Sequence, residues 1–174
     1  MFDFNFDNTL SIYWHKTRPD AIIPTKRGED AGFDVYTNEE IILKPFSKHL
    51  FSTGIQYYTA DNYWLMAFDR GSTGSKGLHT HCGVCDKGYR GEVFICLCND
   101  NPYPVKFSKT EPAGMVKNDD EEYFVYNINK AIAQLIPVRM PHVICSEISD
   151  SDWEDIIAFN QSERGATKLG ESGK

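Results

Sequence analysis

The sequence consists of many short β-type segments separated by closely spaced turn residues, and no long helical pattern interrupts them. Aromatic and β-branched side chains, which favour strands, concentrate in Leu50–Tyr58, Tyr63–Phe68, Gly91–Leu97 and Tyr123–Ile128. Polar and glycine-rich stretches, such as residues 37–40, divide these segments. Many short strands at close spacing are typical of a sandwich or barrel. We therefore predict an all-β domain.

Helical signals are few. Residues 73–76 predict one short turn, and residues 151–157 predict a short helix because Ser151 and Glu154 have the spacing of a capping box. The last eleven residues contain three glycines and no run able to nucleate a core. We predict a β-barrel domain over residues 1–160, followed by a C-terminal arm over residues 161–174.

Composition limits the classes of partner. A chain of 174 residues is long enough for one well-buried core. Its net charge of -7 argues against a nucleic-acid binder, which normally presents a basic face. No apolar run approaches the ~20 residues of a membrane-spanning helix, and acids occupy the start, where a secretory signal would carry lysine or arginine. We predict a cytoplasmic protein that binds neither nucleic acid nor membrane.

The five cysteines are expected to be free thiols, because their number is odd and no secretory context is evident. Cys82 and Cys85 form a CxxC pair, and Cys96 and Cys98 follow, so a zinc site is an alternative. The continuous apolar run over residues 93–97 favours buried thiols, which behave as small hydrophobic groups.

Four segments combine residues suited to phosphate and nucleotide chemistry. Asp30–Asp34 places acids beside a glycine, and Arg70–Gly77 combines glycines, hydroxyls and two cations. Backbone N–H groups at such a turn bind anions, and arginine can clamp a phosphate with two donors. Gly83–Glu92 sets a carboxylate in a glycine-flanked hairpin, with an aromatic three residues on, and Arg164–Lys174 repeats the mix of cations, glycine and serine.

Together with Ala131–Ile136, these four segments resemble, in order along the chain, the five motifs of the trimeric dUTPase family. The matching stretches, motifs one to five, are Asp30–Tyr36, Arg70–Gly77, Gly83–Glu92, Ala131–Ile136 and Arg164–Gly173. The resemblance spans nearly the whole chain. It implies a distorted jelly-roll-like β-barrel of the dUTPase type with a flexible C-terminal arm, assembled as a homotrimer whose sites are shared between subunits. The arm of one subunit would close over a neighbouring active site.

The activity implied by the resemblance is hydrolysis of dUTP to dUMP and pyrophosphate, which limits uracil incorporation into DNA and supplies dUMP. Asp86 would act as the general base on a water that attacks the α-phosphorus. Mg²⁺ would be the cofactor, held mainly by substrate phosphates and water rather than by protein ligands.

The resemblance also implies a set of substrate-binding residues. Tyr89 would pack on the deoxyribose and exclude a 2′-hydroxyl, main-chain groups near Thr80, Val84 and Cys85 would read uracil, and motifs two and four would hold phosphates. The full set implied is Asp34, Arg70, Gly71, Ser72, Thr80, Val84, Cys85, Tyr89, Phe94, Gln134, Arg164, Leu169, Gly170 and Ser172.

The chain departs from the family pattern at several positions. Gly71 stands where motif two usually has serine, and Gly88 stands where motif three often has a second aspartate. Ala131 replaces a frequent arginine, Leu169 replaces an aromatic that covers the base, and Glu171 is the first residue of a pair that is usually Ser-Thr. These changes bear on phosphate binding and closure by the arm more than on the reaction.

Two alternatives remain at this stage. A dCTP deaminase shares the fold, but that reaction needs a glutamate about ten residues after Asp86, and residues 93–97 contain no carboxylate. A non-catalytic nucleotide-binding regulatory protein is the second alternative, with predicted loops around residues 99–122 and 140–160 as its partner surface.

Overall fold

The computed structural model describes residues 10–60, 62–81 and 83–162. This part of the chain contains thirteen strands and two short helices, which confirms the all-β prediction. In chain order they are β1 Ile12–Lys16, β2 Phe33–Val35, β3 Ile42–Leu43, β4 Ser47–Ser52, β5 Ile55–Thr59, β6 Tyr63–Phe68, α1 Gly71–Gly74, β7 Leu78–His81, β8 Val84–Cys85, β9 Phe94–Asn99, β10 Val105–Ser108, β11 Gly114–Lys117, β12 Glu122–Asn127, β13 Ala133–Arg139 and α2 Asp150–Phe159.

The described strands form four sheets rather than one closed barrel. Their orders are β1-β5, β11-β12-β10-β3, β2-β13-β6-β8 and β4-β9-β7. In the third sheet, β13 pairs antiparallel with both β2 and β6, so Gln134 lies opposite Asp34 on one side and Phe68 on the other. This pairing brings motif one, motif four and the start of motif two to the same place in the fold.

The segment Leu50–Tyr58, predicted as one strand, is two strands separated at Thr53 and Gly54. Gly54 has φ +68°, in the left-handed region that favours glycine. A Cβ atom there would lie 2.7 Å from Cβ of Ala21. The chain therefore turns sharply at a position where only glycine fits, and β4 and β5 enter different sheets.

Two other predictions needed correction. The cap of α2 is Ser149 rather than Ser151, since the Ser149 hydroxyl accepts from the Asp152 N–H at 3.2 Å. Strands β10 and β11 occupy part of the segment 99–122 that was predicted as a loop.

The core lies in the first of two compact units, Met1–Pro141. Aromatic contacts join several strands there: the ring centroids of Phe51 and Phe107 are 4.6 Å apart, and those of Phe107 and Tyr126 are 5.3 Å apart. Such pairs are worth about 0.5–1.5 kcal/mol beyond their burial. Strand β13 adds Ala133 and Leu135, both almost fully buried.

The second unit is His142–Lys174. Its described part, residues 142–162, contains α2, and every residue of it is exposed. Residues 163–174, which include most of the predicted arm, lie outside the described part of the chain, so the boundary at residue 160 stays a prediction. Within the described ranges, no helix is long and apolar enough to span a membrane.

Strand β3 offers a paired test of the core. Leu43 is 3% exposed, whereas its neighbour Ile42 is 63% exposed. Leu43→Ala should lower the free energy of unfolding by about 2–5 kcal/mol through a lost transfer term and a cavity. Ile42→Ala should change it by about 0.5 kcal/mol or less. Urea unfolding measures both, and equal losses would contradict this assignment of faces.

Candidate active site

The segment Gly83–Glu92 was predicted as a hairpin, but β8 pairs with β6 whereas β9 pairs with β4 and β7, so the segment is a loop between two sheets. This loop, for which the name hairpin is kept below, carries the carboxylate of motif three at a tight turn. Strand β8 pairs with β6, and Asp86 follows it directly as an exposed residue. The turn is closed by the Tyr89 N–H, which donates to the Asp86 carbonyl at 2.9 Å. Gly83 begins the hairpin in close contact with β6, where a Cβ atom would lie 2.8 Å from the Ala67 carbonyl oxygen. The glycine of this motif is thus required by a close backbone approach.

Side chains of β5 make hydrogen bonds to the backbone of the hairpin. The Tyr57 hydroxyl lies 2.6 Å from the Cys85 carbonyl and 2.7 Å from the Asp86 carbonyl. The Gln56 side-chain amide donates to the Arg90 carbonyl at 2.8 Å. Burial, with a smaller contribution from the Asp86 charge, raises the pKa of the Cys85 thiol to about 11. This thiol is therefore protonated at neutral pH and is not a nucleophile there.

A cavity of about 180 Å³ opens beside Asp86. Among the described residues, its lining includes five of the predicted site residues and no cationic side chain. Its lining is Leu50, Val84, Cys85, Asp86, Tyr89, Glu92, Val93 and Phe94. Val84, Tyr89 and Phe94 are each at least 40% exposed, so apolar and aromatic surface is available to a flat ligand such as a nucleobase.

The Tyr89 ring is fixed across the hairpin. Its hydroxyl donates to the Glu92 carbonyl at 2.8 Å. A Cβ atom at Gly91 would collide with the Tyr89 hydroxyl, so glycine at that position leaves room for the ring. Tyr89 therefore forms one wall of the cavity rather than part of the core.

The Glu92 carboxylate ties the hairpin to the turn between β4 and β5. It accepts hydrogen bonds from the Ser52 hydroxyl and, at 2.8 Å, from the Gly54 N–H. Burial acts to raise the pKa of Glu92, but these hydrogen bonds and the charge of Arg18 hold that pKa below its usual value. Glu92 is therefore an ionised anchor of the hairpin at neutral pH.

The residues predicted to bind phosphate form a second group. Arg70 makes a bidentate pair with Asp34, at 2.8 Å and 3.0 Å, and also donates to the Ser72 hydroxyl at 3.1 Å and the Ala131 carbonyl at 3.2 Å. These bonds use four of the five guanidinium N–H donors. Arg70 is therefore fixed in position, and Asp34 orients it.

A second cavity, of about 280 Å³, surrounds this pair. Its two cations each face a carboxylate, because Arg27 also makes a bidentate pair with Asp30. The lining is Arg27, Asp30, Ala31, Gly32, Asp34, Arg70, Gly71, Ser72 and Gln134. Among the described residues, the two cavities share no lining residue.

Asp69, between β6 and α1, makes hydrogen bonds to residues of β7 and β13. Its carboxylate accepts from the Thr80 hydroxyl at 2.8 Å and lies 2.9 Å from Nδ1 of His79, and its carbonyl accepts from the Gln134 amide at 2.8 Å. Burial acts to raise the pKa of Asp69, but the hydrogen bonds from His79 and Thr80 hold it below its usual value. The sequence did not reveal this residue, since its partners lie in β7 and β13 and meet it only in the folded chain.

The predicted site residues thus fall into four groups. Val84, Cys85, Asp86, Tyr89 and Phe94 line the first cavity, and Asp34, Arg70, Gly71, Ser72 and Gln134 line the second. Thr80 lines neither of these two cavities, and both its N–H and its hydroxyl donate to Asp69. The residues of motif five, Arg164, Leu169, Gly170 and Ser172, lie outside the described part of the chain. No group of three or more potential metal ligands occurs among the described side chains.

Comparisons with known proteins point to one family. A profile of the dUTPase family matches residues 18–112. The deoxyuridine 5'-triphosphate nucleotidohydrolase of Nautilia profundicola is 29% identical over 167 residues, covering 91% of this chain and 96% of that protein. The corresponding protein of Clostridium novyi is 39% identical over 95 residues, 52% of this chain and 66% of that protein. A match to the Pol polyprotein of Caprine arthritis encephalitis virus, at 30% identity over 57% of this chain, spans only 9% of that protein.

Solved structures share the fold. The dUTPase of Staphylococcus bacteriophage 80alpha, solved with dUpNHpp, superposes with a TM-score of 0.66 at 24% identity, covering 96% of this chain and 99% of that one. A mutant dUTPase of S. aureus phage phi11, described for its coordination of a structural Mg(II) ion, gives a TM-score of 0.63 at 22% identity, covering 82% and 98%. The architecture is that of a jelly-roll-like β protein. With more than half of its length matched by the family profile, the chain belongs to the dUTPase family.

The depressed pKa of Asp69 predicts a dependence of stability on pH. Its contribution is present above the unfolded pKa, near 4, and is lost as the pH falls through the lower folded value. Asp69→Asn should therefore be less stable than wild type at pH 7 and lose less stability between about pH 5 and pH 2. Urea unfolding across this range measures the effect.

Asp100→Asn is the matched control for that experiment. The Asp100 carboxylate lies 3.7 Å from the other ring nitrogen of His79 and is 62% exposed, so its loss should change the curve little. Parallel pH curves for wild type and Asp69→Asn would contradict the assigned role.

Proposed function

We propose that the protein hydrolyses dUTP to dUMP and pyrophosphate. The observation that carries this proposal is the exposed Asp86 carboxylate at the hairpin turn, beside the cavity walled by Tyr89 and Phe94. Membership of the dUTPase family and the names of its curated relatives support the same reaction. No specific observation favours a deaminase, because the residues after the hairpin, 93–97, are apolar or cysteine.

In this mechanism Asp86 accepts a proton from a water molecule. The water oxygen then forms a bond to the α-phosphorus, and the bond between that phosphorus and the bridging oxygen breaks, so that pyrophosphate leaves. The turn places Asp86 at solvent, and a general base must lie within hydrogen-bond reach of the water. Hydrogen bonds to the backbone around Asp86 hold this turn in place, and they therefore limit the positions that the Asp86 carboxylate can adopt.

Selection for uracil and deoxyribose is proposed to come from the same hairpin. Main-chain groups of Val84 and Cys85 would pair with the base edge, and the Phe94 side chain would cover part of its face. The Tyr89 ring, held by its bond to the Glu92 carbonyl, would pack on the deoxyribose and exclude a 2′-hydroxyl by steric conflict. Thr80 would act indirectly, because its hydrogen-bond donors are engaged by Asp69.

Arg70, Gly71, Ser72 and Gln134 are proposed to hold the triphosphate, with Asp34 orienting Arg70. A metal carried by the substrate fits this donor set, since Mg²⁺ typically keeps water and phosphate ligands and the described side chains form no cluster of three potential ligands. When bound, Mg²⁺ would neutralise charge on the phosphate oxygens. The protein groups would bind and orient the chain of phosphates around it.

A homotrimer with shared sites would unite the two cavities. In the described part of the chain, no cation lines the Asp86 cavity, whereas the residues proposed to bind phosphate line the Arg70 cavity. Placing the first cavity of one subunit against the second cavity of another would give one complete site. Arg164, Leu169, Gly170 and Ser172 of the arm would then close it, as the sequence predicts.

Asp86→Asn tests the reaction. It keeps the shape of the side chain and removes the base, so turnover of dUTP should fall by about 10²–10⁴-fold. Pyrophosphate release measures turnover, and calorimetric binding of dUpNHpp should remain within a few-fold of wild type. Turnover near the wild-type rate would refute the assignment of Asp86.

Complementation tests the shared site. Asp86→Asn and Arg70→Ala are each expected to be inactive, but co-expression would form trimers in which an intact Asp86 faces an intact Arg70. Random mixing should restore about a quarter of the sites. If each site lay within one subunit, every subunit would carry one defect and pyrophosphate release would not recover.

A further inference from the structure

One side chain outside all five motifs reaches the residue that carries the proposed base. Tyr57 lies in the middle of β5 and is only 3% exposed. Its hydroxyl is within hydrogen-bond distance of two successive carbonyls, 2.6 Å from that of Cys85 and 2.7 Å from that of Asp86. The sequence separation from Asp86 is 29 residues, so this contact exists only in the folded chain.

The contact is buried and specific. Burial raises the pKa of Tyr57 well above its usual value, so the hydroxyl keeps its proton and remains a donor throughout the pH range of a working enzyme. Its ring packs near Trp14, with centroids 6.2 Å apart. Because the hydroxyl is shielded from solvent, water cannot readily replace it at the two carbonyls.

Other bonds tether the ends of the hairpin rather than the Asp86 carbonyl. Gln56 donates to the Arg90 carbonyl at 2.8 Å, and the Ala67 N–H donates to the Gly83 carbonyl at 2.7 Å. The Tyr89 N–H also reaches the Asp86 carbonyl, but it belongs to the hairpin and moves with it. Tyr57 connects this carbonyl to a different sheet, and so fixes it relative to the fold.

We propose that Tyr57 is a positioning residue for catalysis, which holds the backbone of Asp86 so that the carboxylate meets the attacking water in the productive geometry. The inference rests on the proposed function, since it assigns to Tyr57 an effect on the base of that reaction. In this role Tyr57 itself would contact neither the substrate nor the attacking water.

Tyr57→Phe removes the hydroxyl and keeps the ring. Small displacements of a reacting group lower rates steeply, with ~1 Å able to cost about 10²-fold, so we expect kcat for dUTP to fall about tenfold. KM for dUTP and the Kd for dUpNHpp should stay within about twofold of wild type, because the side chains of both cavities are unchanged. Pyrophosphate release and calorimetry supply these values, and melting temperature reports folding.

Thr59→Val is the matched control. Thr59 is fully buried on the same face of β5, two residues from Tyr57, and its hydroxyl donates to the Tyr63 carbonyl at 2.9 Å. The substitution likewise removes a buried bond from hydroxyl to backbone, but it leaves the hairpin alone. Its kcat should match wild type even where its melting temperature falls as much as that of Tyr57→Phe.

The possible outcomes distinguish a failure of the inference about Tyr57 from a failure of the proposed function. A wild-type protein that releases no pyrophosphate from dUTP would refute the proposed function, and the inference with it. An active wild type with an unchanged kcat in Tyr57→Phe would overturn the inference alone. Three other results would also overturn the inference alone. They are an equal loss of kcat in Thr59→Val, a rise in KM in place of the fall in kcat for Tyr57→Phe, and a Tyr57→Phe protein that does not fold.

Discussion

The pairing of β13 between β2 and β6 is the constraint on which the candidate site depends. It buries Ala133 and Leu135 in the core while the alternate residue, Gln134, lies opposite Asp34 and Phe68. A strand has a side-chain period of two, so a slip of one residue would exchange the buried and site-facing sets. The burial energy of the core therefore fixes the register, and the register places Gln134 beside the loop that carries Arg70.

The charged side chains of the candidate site are held in place by ion pairs and hydrogen bonds. Arg70 is held by Asp34, and Glu92 is held by Ser52 and Gly54. Because these groups are partly exposed, their ion pairs and hydrogen bonds contribute more to fixing the geometry of the site than to the free energy of unfolding. The net charge of -7 is compatible with a polyphosphate substrate, because Arg27 and Arg70 line the cavity proposed to hold the phosphates. Acidic residues such as those at 119–122 lie elsewhere in the chain.

The sequence alone predicted the fold class, the strand Tyr63–Phe68 and the family, because alternation, turn residues and motif order are local signals. It missed the break at Gly54, which depends on contact with Ala21, and the strands β10 and β11, which are only four residues long each. Asp69 and Tyr57 carry no local signal, since each contacts residues that are distant in the sequence. The grouping into two separate cavities was likewise beyond sequence reasoning, while the roles of individual site residues stay predictions.

The most direct test of the account is pyrophosphate release by the wild-type protein with Mg²⁺ from dUTP, dCTP, dTTP and UTP in parallel. The account predicts rapid release from dUTP and little from the other three, because the hairpin cavity would select uracil and the Tyr89 ring would exclude ribose. Release of ammonia from dCTP, or binding of dUTP without turnover, would contradict it. Equal release from UTP would contradict the role of Tyr89 while leaving the reaction itself in place.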